Sequence, residues 1–174
     1  MNYYKKIIYI ACLLFLDFFA FYMAMIFDKT LHRAFKLNIQ SIIFDTLPLL
    51  VFLIPLMFYK QLYTKRFSFN DEVKRLSLVI IFLIAIIVII MLSQMIALKE
   101  IPILSLIELG FVLVVSLSLF RFFGKRFLYF VGIGTENTII IGAGNAGMLV
   151  LEGLENEKNF GYNILGFLDN DPKK

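Results

Sequence analysis

Residues 77–98 read SLVIIFLIAIIVIIMLSQMIAL, a run without one charged side chain. A helix rises about 1.5 Å per residue, so about 20 apolar residues are needed to cross about 30 Å of hydrocarbon. Only a helix or a closed barrel satisfies every backbone group inside a bilayer, and the run is too long for a barrel strand. This stretch therefore predicts a membrane-spanning helix.

Three further windows have the length and composition of a span, and each carries a single charge. They are residues 7–27 with Asp17, residues 41–59 with Asp45, and residues 102–120 with Glu108. The first window follows two lysines, but it is too long for a secretory signal and no small-residue cleavage site follows it. The sequence predicts a membrane all-α four-helix transmembrane bundle over residues 1–123.

The composition excludes a water-soluble globule. The chain is 60% hydrophobic and 17% charged, with a mean hydropathy of +0.85, whereas soluble domains are about half apolar and a quarter charged. The net charge of +4 comes from basic residues that border the apolar blocks, so it predicts no nucleic-acid partner. The single Cys12 leaves no disulfide framework and no thiolate metal site.

Lys and Arg residues predict the orientation, because positively charged loops stay in the cytoplasm. Ten of them fall on the side of both termini and four on the other, which predicts that both termini are cytoplasmic. The ten are Lys5, Lys6, Lys60, Lys65, Arg66, Lys74, Arg75, Arg121, Lys125 and Arg126, and the four are Lys29, Arg33, Lys36 and Lys99.

Two polar features of the predicted membrane region invite a functional interpretation. Asp17 lies in the middle of a span, where a charge is costly, and the sequence offers it no obvious intramembrane Lys or Arg partner. No acids recur at the spacing of a proton relay, so we expect a packed carboxyl bonded to a neighbouring helix. Residues 59–76 (YKQLYTKRFSFNDEVKRL) predict an interfacial anchor, with contact to an anionic lipid or a lipid phosphate as the alternative.

Charges, Gly and Asn return after residue 123. Residues 124–136 are predicted to form a basic juxtamembrane linker, followed by a buried strand at 137–141 (NTIII). A glycine-rich turn then leads into a helix at 146–156, and a second strand is predicted at 163–168 (NILGFL). This order predicts the first βαβ unit of a Rossmann-like α/β domain.

The glycine-rich turn predicts a nucleotide-binding site. In G-x-G-x-x-G the first glycine turns the chain, the second lets the backbone approach a pyrophosphate, and the third packs the helix on the strand. The helix N-terminus supplies free N–H groups for an anion, and an acid after the second strand holds a ribose hydroxyl. The predicted site residues are Gly142, Gly144, Asn145, Gly147 and Asp169. The alternative is that the glycines serve turn and packing geometry alone.

The tail from residue 137 to residue 174 is long enough for only one βαβ unit, while a doubly wound sheet needs several strands covered on both faces. We therefore expect a truncated Rossmann-like domain. With four spans, a basic juxtamembrane helix, TIIIGAGNAG at 138–147 and GYNILGFLDNDP at 161–172, the whole chain resembles the N-terminal portion of the large polyprenyl-phosphate sugar-1-phosphate transferases.

The resemblance implies a function in the bacterial inner membrane. Such enzymes transfer a hexose-1-phosphate from a nucleotide-sugar to undecaprenyl phosphate in surface polysaccharide biosynthesis. Their catalysis belongs to a later domain with an Asp-Glu pair and Mg2+, so this chain alone is expected to be inactive, with no catalytic residue of its own. Asp71 and Glu72 form an acidic pair before the third window, a context that does not match the catalytic pair. The implied partners are membrane lipid, polyprenyl phosphate and a second copy of the chain.

Two alternatives stay open. A membrane-anchored nucleotide-sugar 4,6-dehydratase or epimerase similarly joins four spans to a Rossmann-like domain, and its continuing sequence would hold a second glycine motif with Tyr-x-x-x-Lys. A non-enzymatic membrane regulator with a nucleotide-binding tail is less favoured, because the spans show no selectivity-filter-like loop and no row of polar residues.

Overall fold

The computed structural model describes residues 3–34, 49–93 and 103–169. Four helices come first: α1 at Tyr3–Ala34, α2 at Leu49–Tyr59, α3 at Phe69–Ser93 and α4 at Ile103–Phe130. In the described ranges, α1, α3 and α4 are long and apolar enough to cross a membrane, while α2 is a shorter apolar helix. The chain is thus a membrane protein, and its described residues contain three such helices rather than the four spans that the sequence predicts. Asp45 and residues 41–48 of the second predicted window lie outside the described residues.

α1 and α4 run antiparallel and make the largest helix contact of the fold. Three pairs of hydrogen-bonded residues show that the two helices run in opposite directions, because the residue numbers rise along α1 as they fall along α4. The pairs are Tyr9 with Tyr129, Asp17 with Arg121, and Ala20 with Ser116. α3 packs on α4 in the same way, with Glu72 near Lys125 and Ile84 near Gly110. The starts of α1 and α3 therefore lie at the same end of the bundle as the end of α4.

Leu83, Leu113 and Leu117 belong to the apolar core between these helices and are fully buried. The outward faces are apolar as well: Phe15, Ile81 and Phe111 each expose more than half of their surface. A helix that is apolar on all sides suits a lipid environment, where both faces contact hydrocarbon or protein.

The tail begins directly after α4 and has one helix between two strands. β1 is Glu136–Ile141, α5 is Asn145–Asn156, and β2 is Tyr162–Leu168, with a short 3-10 turn at Lys158–Phe160. The strands pair in parallel with a register shift between Thr138 and Ile139. The predictions of two strands flanking a helix are confirmed to within one residue at every boundary.

Candidate functional site

The glycine turn, residues 142–147, lies at the carboxyl ends of the two strands. Gly142 continues the ladder by donating its N–H to Leu168 O over 2.7 Å, and its φ of +96° is one that favours glycine. Gly144 is the N-cap of α5 with extended backbone and no side-chain cap. Since Gly144 has no side chain, the N-cap residue supplies no acceptor to the first N–H groups of α5, and a helix N-terminus of this kind is where an anion binds.

Gly147 shows why the third glycine of the turn has no side chain. A Cβ at this position would collide with Gly142 O and would lie 3.3 Å from the Phe167 ring. Glycine thus lets α5 begin directly against the end of β1, the packing for which the spacing was predicted. Gly147 is buried, while Asn145 at the first position of α5 is exposed.

Asp169 completes the predicted set at the same edge of the sheet. Its Oδ2 accepts a hydrogen bond from Ala143 N over 2.7 Å, so a carboxylate already lies on a backbone donor of the glycine turn. A phosphate approaching that donor would meet this negative charge. The structure therefore brings all five predicted residues together, and the contact of Asp169 with a ribose hydroxyl stays a prediction.

A second constellation, the ion cluster, consists of Asp17, Glu72, Arg121 and Lys125. Asp17 is only 2% exposed and receives two hydrogen bonds from Arg121, from Nε to Oδ1 and from Nη2 to Oδ2, each over 2.7 Å. Tyr63 donates its hydroxyl to Oδ2 over 2.6 Å. Asp17, for which the sequence shows no obvious basic partner, is thus paired with Arg121, and the prediction of a carboxyl hydrogen-bonded to a neighbouring helix is confirmed.

Glu72 forms the other half of the ion cluster. Both of its carboxylate oxygens accept from Lys125 Nζ over 2.7 Å, and Oε1 also accepts from Arg121 Nη1 over 3.0 Å. Its sequence neighbour Asp71 is exposed and accepts from Ser68 Oγ over 3.0 Å at the start of α3. One acid of the pair is therefore buried in ion pairs, while the other bonds to Ser68, whose Oγ caps the start of α3 by accepting from Asp71 N.

The pairing of Asp17 was missed because Arg121 was assigned to the end of a span at residue 120. α4 instead continues to Phe130, and its buried face continues with it. Residues on that face recur every four positions, first as leucines and then as bases. They are Leu113, Leu117, Arg121 and Lys125. Because positions i and i+4 share a helix face, this continuation of an apolar stripe by basic residues is the signal that identifies an inward-facing pair.

The ion cluster is electrically balanced, since two carboxylates face one guanidinium and one ammonium. Each carboxylate oxygen has at least one donor, which is the condition under which buried charges are tolerated. Burial, followed by the charge of Asp17, raises the pKa of the Tyr63 phenol, so Tyr63 keeps its proton and acts as a donor. The arrangement supports a structural connection rather than a proton path.

Asn159 joins the ion cluster to the tail. It is 2% exposed and donates from Nδ2 to Glu72 Oε2 over 3.3 Å. Its backbone O accepts from the Tyr129 hydroxyl over 3.2 Å, and the Tyr129 hydroxyl lies 3.0 Å from that of Tyr9. Because Tyr129 has one hydroxyl hydrogen, Tyr9 is the donor of that last bond. Side chains of α3 and α4 thus bond to the 3-10 turn of the tail, and α1 is connected to it through the hydroxyls of Tyr9 and Tyr129.

Arg66, from the segment between α2 and α3, fixes the tail from the other side. Its guanidinium donates to the carbonyls of Phe160 and Gly134, and Nε lies 3.5 Å from Glu136 Oε2. The guanidinium carbon also lies 5.2 Å from the centre of the Tyr162 ring. Residues 59–76, predicted as an interfacial anchor, therefore also hold the tail against the bundle.

Gly161 allows this close contact. Its φ of +62° is left-handed, and a Cβ there would lie 2.6 Å from the Tyr129 ring.

Comparison of the chain with protein-family models, with characterised proteins and with solved structures gives no match. A function for this chain is therefore proposed from its residues and their geometry.

Proposed function

We propose that this chain is the membrane and accessory part of a sugar transferase that moves a hexose-1-phosphate from a nucleotide-sugar to undecaprenyl phosphate. In this proposal the tail is the first βαβ unit of a Rossmann-like domain, the protein lies in the bacterial inner membrane, and the chemistry belongs to a separate catalytic domain. The resemblance carried by residues 138–147 and 161–172 supports this assignment.

The observation that carries the proposal is the fixed position of the glycine turn relative to the membrane helices. Arg66 and Asn159 bind the tail to the bundle through four polar contacts. A transferase with a water-soluble donor and a lipid acceptor needs a module that stays beside the bilayer. A nucleotide-binding-type unit held at the end of a helix bundle meets that need.

The positive-inside rule predicts which side of the membrane the tail faces. The ten basic residues near the end of the bundle that carries the tail predict that this end is cytoplasmic, where nucleotide-sugars are made. We propose accordingly that the tail faces the cytoplasm and that a second copy of the chain is a partner.

The test of function is an in-frame deletion of codons 1–174 in the organism that encodes them. Membranes are then supplied with a UDP-hexose and polyprenyl phosphate, and lipid-linked hexose phosphate and released UMP are measured. We expect both products to be lost and to return with the wild-type gene. Unchanged transfer would refute the proposal. Loss of an NAD-dependent 4-keto sugar product instead would assign the chain to the dehydratase alternative.

A second test addresses the glycine turn. Hydrogen exchange at residues 142–147 is measured with and without UDP in the wild type and in Gly144→Val and Asp169→Asn variants. We expect UDP to slow exchange in the wild type but not in Gly144→Val, because a side chain at 144 blocks the approach of a phosphate. Asp169→Asn distinguishes two roles: tighter binding means that the carboxylate competes with phosphate, and weaker binding means that it holds ribose. Equal exchange with and without UDP in all three proteins would mean that the glycine turn binds no UDP and has a structural role only.

A further inference from the structure

A cleft of about 350 Å³ lies between the first turns of α1, the segment before α3 and the tail. We call it the headgroup cleft and define it by Lys6, Tyr9, Lys65, Arg66 and Tyr162, which line it together with Tyr63, Thr64 and Glu136. Lys6 belongs to the first turns of the apolar window Tyr4–Phe27. The cleft therefore opens where a membrane helix begins, at the level of the lipid headgroups.

The charges of the headgroup cleft do not cancel. Arg66 pairs with Glu136 and is further occupied by two backbone carbonyls. Lys6 and Lys65 are both exposed, and neither ammonium makes an ion pair or hydrogen bond with the part of the chain that the structure describes. The lining thus carries two uncompensated positive charges.

The lysines of the cleft differ from three other basic side chains at this end of the bundle, each of which lies on an aromatic ring. Lys60 Nζ is 5.5 Å from the centre of the Phe82 ring. Arg75 lies 4.0 Å from that of Phe67, and Arg126 lies 3.9 Å from that of Phe122. Such stacking satisfies a cation without an anion. Lys6 and Lys65 instead remain available to a ligand.

Two cations match the charge of one phosphomonoester, about −1.5 to −2 at neutral pH. The same end of α1 offers apolar surface to the rest of a lipid, because Ile7 and Ile8 are each 49% exposed. A headgroup phosphate in the cleft would leave its acyl chains beside these residues. A free phosphate has no apolar part that could contact that surface.

We propose that the headgroup cleft binds a phosphomonoester, with Lys6 and Lys65 as its cationic contacts and a membrane lipid as its source. Thr64, which also lines the cleft, adds a hydroxyl donor. The inference rests on charge and position and does not depend on the proposed transferase function. The deletion assay above and the binding assay below can therefore fail separately.

The experiment is native mass spectrometry of the full chain in detergent, titrated with dioleoyl phosphatidic acid or with phosphatidylcholine of the same chains. We expect phosphatidic acid to bind the wild type at least tenfold more tightly than phosphatidylcholine. The Lys6→Gln/Lys65→Gln variant should lose roughly tenfold or more in phosphatidic acid affinity, since each basic residue near an anionic headgroup contributes measurably. Equal binding of the two lipids by the wild type would overturn the proposal.

The matched control is Lys5→Gln/Lys74→Gln, which removes the same charge from exposed lysines outside the cleft lining. It should retain phosphatidic acid affinity to within about twofold. Equal losses in the two double variants would overturn the assignment to the cleft. The Lys6→Arg/Lys65→Arg variant keeps the charge and should retain binding, which separates loss of charge from loss of fold.

Inorganic phosphate distinguishes the two sources of the ligand. Added in excess, it should displace little phosphatidic acid, because the acyl chains contribute contacts that phosphate lacks. Complete displacement that requires Lys6 and Lys65 would overturn the lipid source and assign the cleft to a free phosphate.

Discussion

Arg121 donates hydrogen bonds to two carboxylates from different helices, Asp17 on α1 and Glu72 on α3. Asp17 and Glu72 are each only 2% exposed, so both carboxylates are buried where they bind the guanidinium. Removing one partner of a buried ion pair costs more than the pair itself contributes, because an uncompensated charge is left in a low-dielectric site.

We predict that Arg121→Gln lowers the free energy of unfolding by about 3–5 kcal/mol. The measurement is the thermal unfolding midpoint of the chain in detergent. Arg126→Gln is the control, because Arg126 is exposed and stacks on a ring, and its change should stay within about 0.5 kcal/mol. In Asp17→Asn/Arg121→Gln the unpaired acid is absent, so part of the stability should return. Equal midpoints for the two single variants would contradict the assigned pairing.

Two glycines of α5 provide a second prediction at this scale. A Cβ at Gly147 would meet Gly142 O, whereas a Cβ at Gly153 would meet nothing within 4 Å. We predict that Gly147→Ala speeds proteolysis of the tail, because backbone must move to admit the methyl group. Gly153→Ala should slow it slightly, since alanine favours helix by about 1 kcal/mol over glycine. The measurement is limited proteolysis with quantitation of the 136–168 fragment, and a reversed order would show that α5 packs differently.

At the scale of elements, α1 and α4 are longer than a bilayer requires. Their 32 and 28 residues correspond to about 48 and 42 Å at about 1.5 Å per residue, against about 30 Å of hydrocarbon. The turns of these helices at the tail end carry Tyr9 and Tyr129, whose hydroxyls meet and lead to Asn159. The tail end of α1 and α4 therefore provides the surface on which the tail packs.

We predict that Arg66→Ala loosens the tail without loosening the bundle. Arg66 is the side chain that donates to the carbonyls of both Gly134 and Phe160. Hydrogen exchange should rise across β1 and β2 and stay unchanged in α3 and α4. Arg66→Lys should rescue only part of the protection, because an ammonium lacks the planar fork of donors.

Lys74→Ala is the control for the Arg66 prediction, since Lys74 is exposed and lies 3.9 Å from Asp71. It should leave exchange in the tail unchanged. Faster exchange in α4 of the Arg66→Ala variant would mean that the bundle itself depends on Arg66, contrary to the prediction.

The contrast between what the sequence predicts and what it misses follows from the range of each interaction. Strands β1 and β2 and helix α5 depend on local signals, such as isoleucine runs and a glycine turn, and were predicted to within a residue. The bond between Asp17 and Arg121 joins residues 104 positions apart. Its partners become visible only when two helices are aligned antiparallel, and one sequence gives no register for that alignment. Arg66 binds two backbone carbonyls, and since every residue has one, no residue type in the sequence identifies these partners.

On the scale of the whole molecule, the bundle and the tail form one connected unit through Arg66, Asn159 and Tyr129. The ends of α1 and α4 that meet the tail carry the basic residues used to predict orientation. The start of α1 and the tail lie at the same end of the bundle, and the positive-inside rule predicts that this end faces the cytoplasm.

We predict that single cysteines placed at Asn2 and Glu152, in a Cys12→Ala background, are labelled by a membrane-impermeant maleimide only after the membrane is opened. A cysteine placed at Lys36, in the predicted outer loop, is the control and should be labelled in intact cells. Labelling of the Asn2 or Glu152 position in intact cells would reverse the orientation.

The ion cluster also has a consequence for biosynthesis. Asp17 enters the membrane with the first helix, while Arg121 is made 104 residues later. In the interval neither Asp17 nor Glu72 has its base, and a lone carboxylate in hydrocarbon is costly. The buried pair of Asp17 and Arg121 therefore forms only after α4 has been synthesised and packs against α1. A product that ends before codon 121 has both acids of the ion cluster and neither of its bases. The ion cluster is thus balanced only once Arg121 and Lys125 of α4 have been made.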